Sequence, residues 1–179
     1  MPTTREMLQD GIADAKNENA IVKPYMMSHG TMECYSLKES RKFYEEFLGL
    51  ECVKHARPAM AVRCGLKFHI VAVEVGDAVH PCNVLNHWGI DVTSKEEVDK
   101  AHEAALKYKE KYKIRQVLPA MDQHGIYSFY MEDLDHNWWE IQYYPGVQDE
   151  DLFDFGDRFS MDDGEDVSEL KELNVKTSV

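Results

Sequence analysis

The sequence predicts an α+β fold in which two paired βαβββ modules form a cupped eight-stranded mixed sheet with helices on its outer face. Three observations predict it. A segment of the chain repeats at a shift of 58 residues, each copy starts with a short strand that leads into a helix, and three strand candidates follow each helix. The alternative is a generic α+β domain in which the repeat is accidental.

The repeat rests on six identities in twenty aligned positions without a gap. The matched pairs are His29 and His87, Ser36 and Ser94, Glu39 and Glu97, Lys42 and Lys100, Glu45 and Glu103, and Leu48 and Leu106. Their placement matters more than their number, since they fall at equivalent points of the two modules. The repeat therefore favours a duplicated half over a single irregular domain.

Each copy contains signals for a strand followed by a helix. The first strands are predicted at 27–35 and 85–93, where apolar and polar residues alternate. A capping box then starts each helix, Ser36-x-x-Glu39 in the first copy and Ser94-x-x-Glu97 in the second. Gly49 ends the first helix. Three strands are then predicted in each copy, at 51–55, 59–64 and 66–75, and at 114–118, 125–132 and 137–144, with turns between them that include 121–124.

Composition limits the classes of partner. The chain has 179 residues, 44% of them apolar, and a net charge of −13. No apolar run reaches the roughly 18 residues that a membrane span needs. The negative charge disfavours a nucleic acid or an anionic membrane as partner. The four cysteines form no CxxC pair and nothing marks export, so we expect reduced thiols and a cytoplasmic protein.

The two ends differ from the body of the chain. Residues 1–24 are predicted to form a polar helical arm, and the body spans 25–148, with modules at 25–76 and 84–146. Residues 149–179 form an acidic arm and tail with 11 acidic and 3 basic residues, a net of −8, so the rest of the chain carries −5. We expect disorder beyond about residue 160.

Strand alternation predicts a cluster of metal-binding side chains. Residues i and i+2 of a strand share a face, which turns His29, His69, His87 and Glu140 toward the inside of the cup. A buried carboxylate is costly unless it is paired or binds a metal. Two histidines and one carboxylate suit a divalent first-row metal, and this set with open positions is found in non-haem Fe(II) oxygenases. Taken singly, each residue is better explained as a structural or exposed strand residue.

This double βαβββ pattern, with ligands on first and fourth strands, resembles the vicinal oxygen chelate superfamily. Its members include glyoxalase I, methylmalonyl-CoA epimerase, fosfomycin-resistance proteins and type I extradiol ring-cleavage dioxygenases. The resemblance covers about residues 25–145. It implies that His29, His87 and Glu140 occupy the three commonest ligand positions of the superfamily.

Within the superfamily the chain is most similar to a single-domain type I extradiol dioxygenase. Where glyoxalase-like enzymes usually carry a fourth ligand Glu, this chain has His69, as the extradiol enzymes have an acid–base His. Ser128-Phe129-Tyr130 places Tyr130 ten residues before Glu140, as in those enzymes, and His124 lies six residues before Tyr130. The chain departs from the extradiol pattern in three ways. Leu134 and His136 stand where that pattern has a Pro and a Gly. The spacing from His124 to Phe129-Tyr130 is one residue shorter than in the usual motif, and the chain has one double module where most of those enzymes have two.

The resemblance implies a reaction and its participants. The expected cofactor is Fe(II), or alternatively Mn(II), and the expected partners are an aromatic catechol-like small molecule and O2. His69 would act as acid–base and stabilise the bound oxygen, Tyr130 would hydrogen-bond the substrate, and His124 would be a second acid or base. Trp138 and Gln142 share the face of Glu140, so they either shape the substrate pocket or fill the interior. Superfamily members often pair through strand edges, which makes a homo-oligomer a further expectation.

Two other functional classes remain open from the sequence. One is a non-redox metalloenzyme of the same superfamily, a lyase, isomerase or thiol transferase that uses Zn, Ni, Co or Mn as a Lewis acid. The other is a metal-free module that sequesters a small molecule. The retained ligand set argues against the second class.

Overall fold

A computed structural model describes residues 19–22, 24, 26–65, 68–123, 125–155 and 157. Most of the predicted N-terminal helix, the catalytic candidate His124 and nearly all of the predicted disordered tail lie outside these residues. The chain divides into two compact units, with the boundary between Asp77 and Ala78. Each unit contains one strand–helix–strands module and is described separately below.

In its described residues the first unit is a four-stranded mixed sheet with one helix. Its elements are β1 (His29–Cys34), α1 (Leu37–Lys42), which continues as a π-helical turn (Phe43–Phe47), β2 (Glu51–Val53), β3 (Ala59–Arg63) and β4 (His69–Glu74). The strand order is β1-β4-β3-β2, with β1 parallel to β4 and the other pairs antiparallel. One face of the β1–β4 pair is buried, and its residues are Met32, Cys34, Ile70 and Ala72. The opposite face carries His29 and His69.

The start of α1 differs from the predicted capping box. Ser36 is the N-cap residue, but its hydroxyl makes no capping hydrogen bond. The Glu74 carboxylate accepts the backbone N–H of Leu37 instead, at 2.7 Å. A carboxylate also suits the positive end of the helix dipole. The helical segment ends before Gly49, whose φ of +69° is a conformation that glycine adopts without strain.

The second unit is a five-stranded mixed sheet with three helices. Its elements are β5 (His87–Asp91), α2 (Lys95–Lys107), α3 (Lys109–Tyr112), β6 (Gln116–Val117), β7 (Met121–Gln123), β8 (Ile126–Glu132), β9 (Trp138–Tyr143) and α4 (Gln148–Phe155). The main path is β5-β9-β8-β6, with β7 also paired to β8. Only the β5–β9 pair is parallel. The buried side of α2 carries Val98 and Ala105.

The predicted α+β class with strand–helix–strand modules is confirmed. Among the described residues there are nine strands in two hydrogen-bonded sheets, because the segment 121–123, predicted as a turn, pairs with β8. The fourth strand, predicted from residue 66, begins at His69, and Phe68 just before it is 38% exposed. No helix in the described part of the chain is long and apolar enough to cross a membrane.

The two N-cap serines are expected to contribute unequally to stability. The Ser94 hydroxyl accepts the N–H of Glu97 at 3.3 Å, whereas the Ser36 hydroxyl makes no such bond. Ser94→Ala should therefore lower the free energy of unfolding by about 1 kcal/mol, and Ser36→Ala by less than about half of that. Urea denaturation of the two matched variants measures the difference. Equal losses would show that the repeat still caps both helices in the same way.

Candidate functional site

The first unit places two of the predicted site residues side by side. His29 opens β1, His69 opens β4, and the two are register partners in the parallel pair. Their rings stack with centroids 5.5 Å apart and planes 19° from parallel. His29 Nδ1 also contacts Ser28 Oγ at 2.8 Å. A hydrogen bond at one ring nitrogen leaves the other, Nε2, available as a ligand or proton carrier.

The second unit brings His87 and Glu140 together. Glu140 lies opposite Gly89 in the β5–β9 register, so its side chain shares the face of His87. His87 Nε2 is 3.2 Å from Glu140 Oε2, and His87 Nδ1 is 2.7 Å from the carbonyl oxygen of Val84. The Glu140 carboxylate raises the pKa of His87 mainly through this hydrogen bond, although partial burial opposes it. The pair is therefore a positioned imidazole facing a buried carboxylate.

Tyr130 and Ser128 complete the surroundings of Glu140. Both lie on β8 on the same face, and Tyr130 is the register partner of Glu140. Burial alone would raise the pKa of Glu140, but the hydrogen bond from His87 and the nearby hydroxyls of Ser128 and Tyr130 outweigh it and lower that pKa. Burial and the nearby Glu140 raise the pKa of the Tyr130 phenol well above its usual value. Glu140 is thus held as the anion and Tyr130 as the neutral donor.

The donor chemistry of the second unit fits a divalent metal ion. Metal ions bind a histidine nitrogen and a carboxylate oxygen at about 2.1 Å each. When the two bonds are at right angles, the nitrogen and the oxygen are about 3 Å apart. The distance from His87 Nε2 to Glu140 Oε2, 3.2 Å, is close to that value. Metal-bound histidines usually donate their other ring N–H to a carbonyl or carboxylate, as Val84 allows here. Among the residues described within each unit, no three His, Cys, Asp or Glu side chains are grouped to hold a metal.

A tight loop before β9 positions the strand that carries Glu140. One oxygen of the buried Asp133 carboxylate accepts the N–H groups of Asp135 and Asn137 at 2.8 and 2.9 Å, and the other accepts Trp139 Nε1 at 2.9 Å. His136, which stands where the extradiol pattern has Gly, adopts a φ of +66°. Its Nδ1 contacts Glu132 Oε1 at 2.6 Å. The ring contact fixes a residue that would otherwise be strained.

The remaining candidates are placed as follows. Trp138 is buried and donates through Nε1 to the carbonyl oxygen of Cys82 at 3.2 Å. Gln142 donates from Nε2 to Asp91 Oδ1 and Gln148 Oε1. For Trp138, burial and this contact favour the second of its two predicted roles, filling the interior, over shaping a substrate pocket. His102 on α2 contacts the Leu118 carbonyl through Nε2 and packs against the Phe129 ring.

Two features beside Glu140 were not predicted from the sequence. Ser128 belongs to the quoted Ser-Phe-Tyr motif, yet only its i+2 relation to Tyr130 would have placed it on the Glu140 face. Its hydroxyl is buried and makes no well-formed hydrogen bond among the described residues. Gly89 is the other feature, because a Cβ there would meet nothing within 4 Å. It is the register partner of Glu140 and carries no side chain on that face of the sheet.

The comparison with protein families agrees with this architecture. The model of the glyoxalase, bleomycin resistance protein and dioxygenase superfamily matches residues 28–141, which include both modules. The chain belongs to this superfamily. No curated protein sequence matches the chain. The superfamily contains lyases, antibiotic-resistance proteins and dioxygenases, and many of its members bind divalent metals, so membership shows the fold and does not single out one reaction.

Solved structures of the superfamily share the fold at low sequence identity. A glyoxalase/bleomycin resistance protein/dioxygenase from Nocardioides is 16% identical with a TM-score of 0.54, covering 72% of this chain and 91% of its own. A fosfomycin resistance protein from Listeria monocytogenes is 21% identical with the same TM-score, covering 72% and 99%. A possible glyoxalase from Bacillus cereus is 23% identical with a TM-score of 0.50, covering 64% and 96%. These similarities establish the fold alone.

The acidic loop before β9 is expected to make stability depend on pH. Burial first, and then the charge of Asp135, raise the pKa of Asp133 to about 7, although three N–H donors favour its anion. The folded chain then holds a proton that the unfolded chain has lost, so stability should fall as pH rises from about 4 to about 7. Asp135→Asn removes one cause and should flatten this fall.

Thermal unfolding across that pH interval measures the effect, with Asp77→Asn as the control for an exposed aspartate. Parallel curves for the parent and Asp135→Asn would contradict the assigned cause.

Proposed function

We propose that this protein is an Fe(II)-dependent extradiol-type dioxygenase that cleaves a catechol-like ring with O2, with His29, His87 and Glu140 as metal ligands. The observation that carries the proposal is the His87–Glu140 contact of 3.2 Å beside Tyr130. The donor types suit a redox-active first-row metal, and the neighbouring phenol suits a substrate with vicinal oxygens. In this reaction a ring carbon–carbon bond breaks and both atoms of O2 enter the product.

The metal would supply a common binding point for the two substrate oxygens and O2, together with the redox capacity that O2 activation requires. The protein residues would do the rest. Tyr130 stays protonated, so it donates a hydrogen bond to a substrate oxygen. His69 takes up and returns a proton, since imidazole does this readily near neutral pH. His124 remains the predicted second acid or base.

One observation favours a second candidate, a non-redox metalloenzyme of the same superfamily. His69 lies against His29 with ring centroids 5.5 Å apart, so a metal ligand at His29 has a second imidazole at hand. With His69 as a fourth ligand, the site would resemble the glyoxalase-like members and act as a Lewis acid. The two candidates therefore differ in whether His69 binds the metal.

Anaerobic reconstitution tests the dioxygenase proposal. The protein loaded with Fe(II) should consume O2 when a catechol is added and form a coloured ring-fission product, measured with an oxygen electrode and by visible absorbance. Glu140→Ala and His87→Ala should lose the metal, measured by elemental analysis. Tight metal binding without O2 consumption across a catechol panel would contradict the proposal and support Lewis-acid chemistry.

His69→Ala distinguishes the two roles of that residue. If His69 is the acid–base, the variant should keep its metal and lose turnover by about 10²- to 10⁴-fold, the usual contribution of such a group. His55→Ala, at an exposed histidine of the same unit, is the matched control and should change neither quantity. Loss of the metal from His69→Ala would identify a fourth ligand.

A further inference from the structure

A cavity of about 640 Å³ opens in the second unit at one end of the sheet that carries Glu140. It lies at the carboxyl ends of β5 and β9, and its lining comes from 91–93 and 143–148. All of these residues belong to the second unit. None of the roles proposed above uses this cavity.

Asp91 connects the cavity to the Glu140 face of the sheet. It is the register partner of Gln142, one rung beyond the pair of Gly89 and Glu140. Its side chain therefore shares the Glu140 face while lining the cavity. Gln142 Nε2 donates to Asp91 Oδ1 at 2.8 Å and to Gln148 Oε1 at 2.9 Å, which fixes both acceptors. The cavity thus has an oriented, exposed carboxylate at one end.

The other walls suit a cation. The residues that line the cavity include no Lys, Arg or His. Two of them are Tyr143 and Tyr144, and Tyr144 donates its hydroxyl to Asp151 at 2.7 Å, which adds a second carboxylate nearby. Aromatic faces attract organic ammonium groups, and an aspartate pairs with them by charge-assisted hydrogen bonds. A phosphate or carboxylate would meet negative charge here without a compensating cation.

Gly89 lies opposite Glu140 and two residues before Asp91, so on this face of β5 it stands between Glu140 and a residue that lines the cavity. Its φ is not in the left-handed region and a Cβ would meet nothing within 4 Å, so neither backbone nor packing requires glycine. Glycine inside a strand costs roughly 0.5–1 kcal/mol relative to alanine, and close approach of a ligand is a common reason for it. Two residues along a strand span about 7 Å, which matches a ring substituent of two or three atoms.

We infer that the cavity binds the ammonium end of an aminoalkyl-substituted substrate, with Asp91 as its anionic partner and Gly89 as the gap through which the substituent passes. This rests on the proposed function in one respect: the other end of the same substrate is the catechol ring whose vicinal oxygens bind at the proposed metal site. It deepens that function by naming the substrate class, a catechol with a short cationic arm.

Binding measurements on the full chain test the cavity separately from the reaction. Phenethylamine has an ammonium arm and no vicinal oxygens, so calorimetry with it on metal-loaded and metal-free protein reports the cavity alone. We expect Asp91→Asn to weaken its binding about tenfold, the size of one lost charge-assisted hydrogen bond. Asp91→Glu should restore most of the loss, and Asp77→Asn should have no effect. Circular dichroism and thermal unfolding verify that each variant is folded.

Matched catechols then test the path past Gly89. Of three arms, aminoethyl, ethyl and carboxyethyl, the aminoethyl compound should have the lowest KM on the Fe(II) enzyme. Asp91→Asn should abolish this preference. Gly89→Val should weaken aminoethylcatechol more than phenethylamine. Equal KM values for the three arms, or phenethylamine binding that is unaffected by Asp91→Asn, would overturn the inference.

The outcomes separate the two proposals. Binding of phenethylamine that depends on Asp91, without turnover of any catechol, would support the cavity and contradict the dioxygenase. Turnover of catechols with no preference among arms would support the dioxygenase and contradict the cavity.

Discussion

The parallel pairing of β5 with β9 is the constraint on which the candidate site depends. It sets Gly89 opposite Glu140 and places His87 on the same face, so that an imidazole nitrogen and a carboxylate oxygen lie 3.2 Å apart. Parallel strands need a long crossover connection, here supplied by α2, α3 and the strands β6 to β8. A slip of one residue would turn Glu140 to the opposite face. The strand register of the β5–β9 pair therefore determines which side chains of the second unit lie close together.

The surroundings of Glu140 show how a buried carboxylate is kept charged. Burial favours its neutral form, and the donors on His87, Tyr130 and Ser128 reverse that preference. Asp133, seven residues earlier, shows the opposite balance: its burial raises its pKa most, the charge of Asp135 adds to the effect, and three N–H donors only partly oppose it. Two acids in one strand–loop segment thus differ in protonation because Asp133 is more deeply buried and lies beside a like charge.

Much of this arrangement could be predicted from the sequence because period-two alternation and the repeat are local signals. The i+2 rule placed His29 and His69 on one face of their sheet, and His87 with Glu140 on one face of the other. The absence of a capping bond at Ser36 was not predictable in the same way, since the acceptor that takes its place is Glu74, 38 residues further along the sequence. The strand at 121–123 was missed because three residues give too short a pattern. The cavity near Asp91 depends on how the chain turns after β9, which no periodicity encodes.

Because His136 has a left-handed backbone conformation and contacts Glu132, we expect residues 132 and 136 to change together in evolution. Glycine would adopt the same φ at lower cost, but it would remove the partner of Glu132. Replacing Glu132 alone would leave a histidine in a rarely populated conformation without the contact that offsets the strain. Each single change is therefore less favourable than the double change, and sequences related to this one should exchange residues 132 and 136 as a pair.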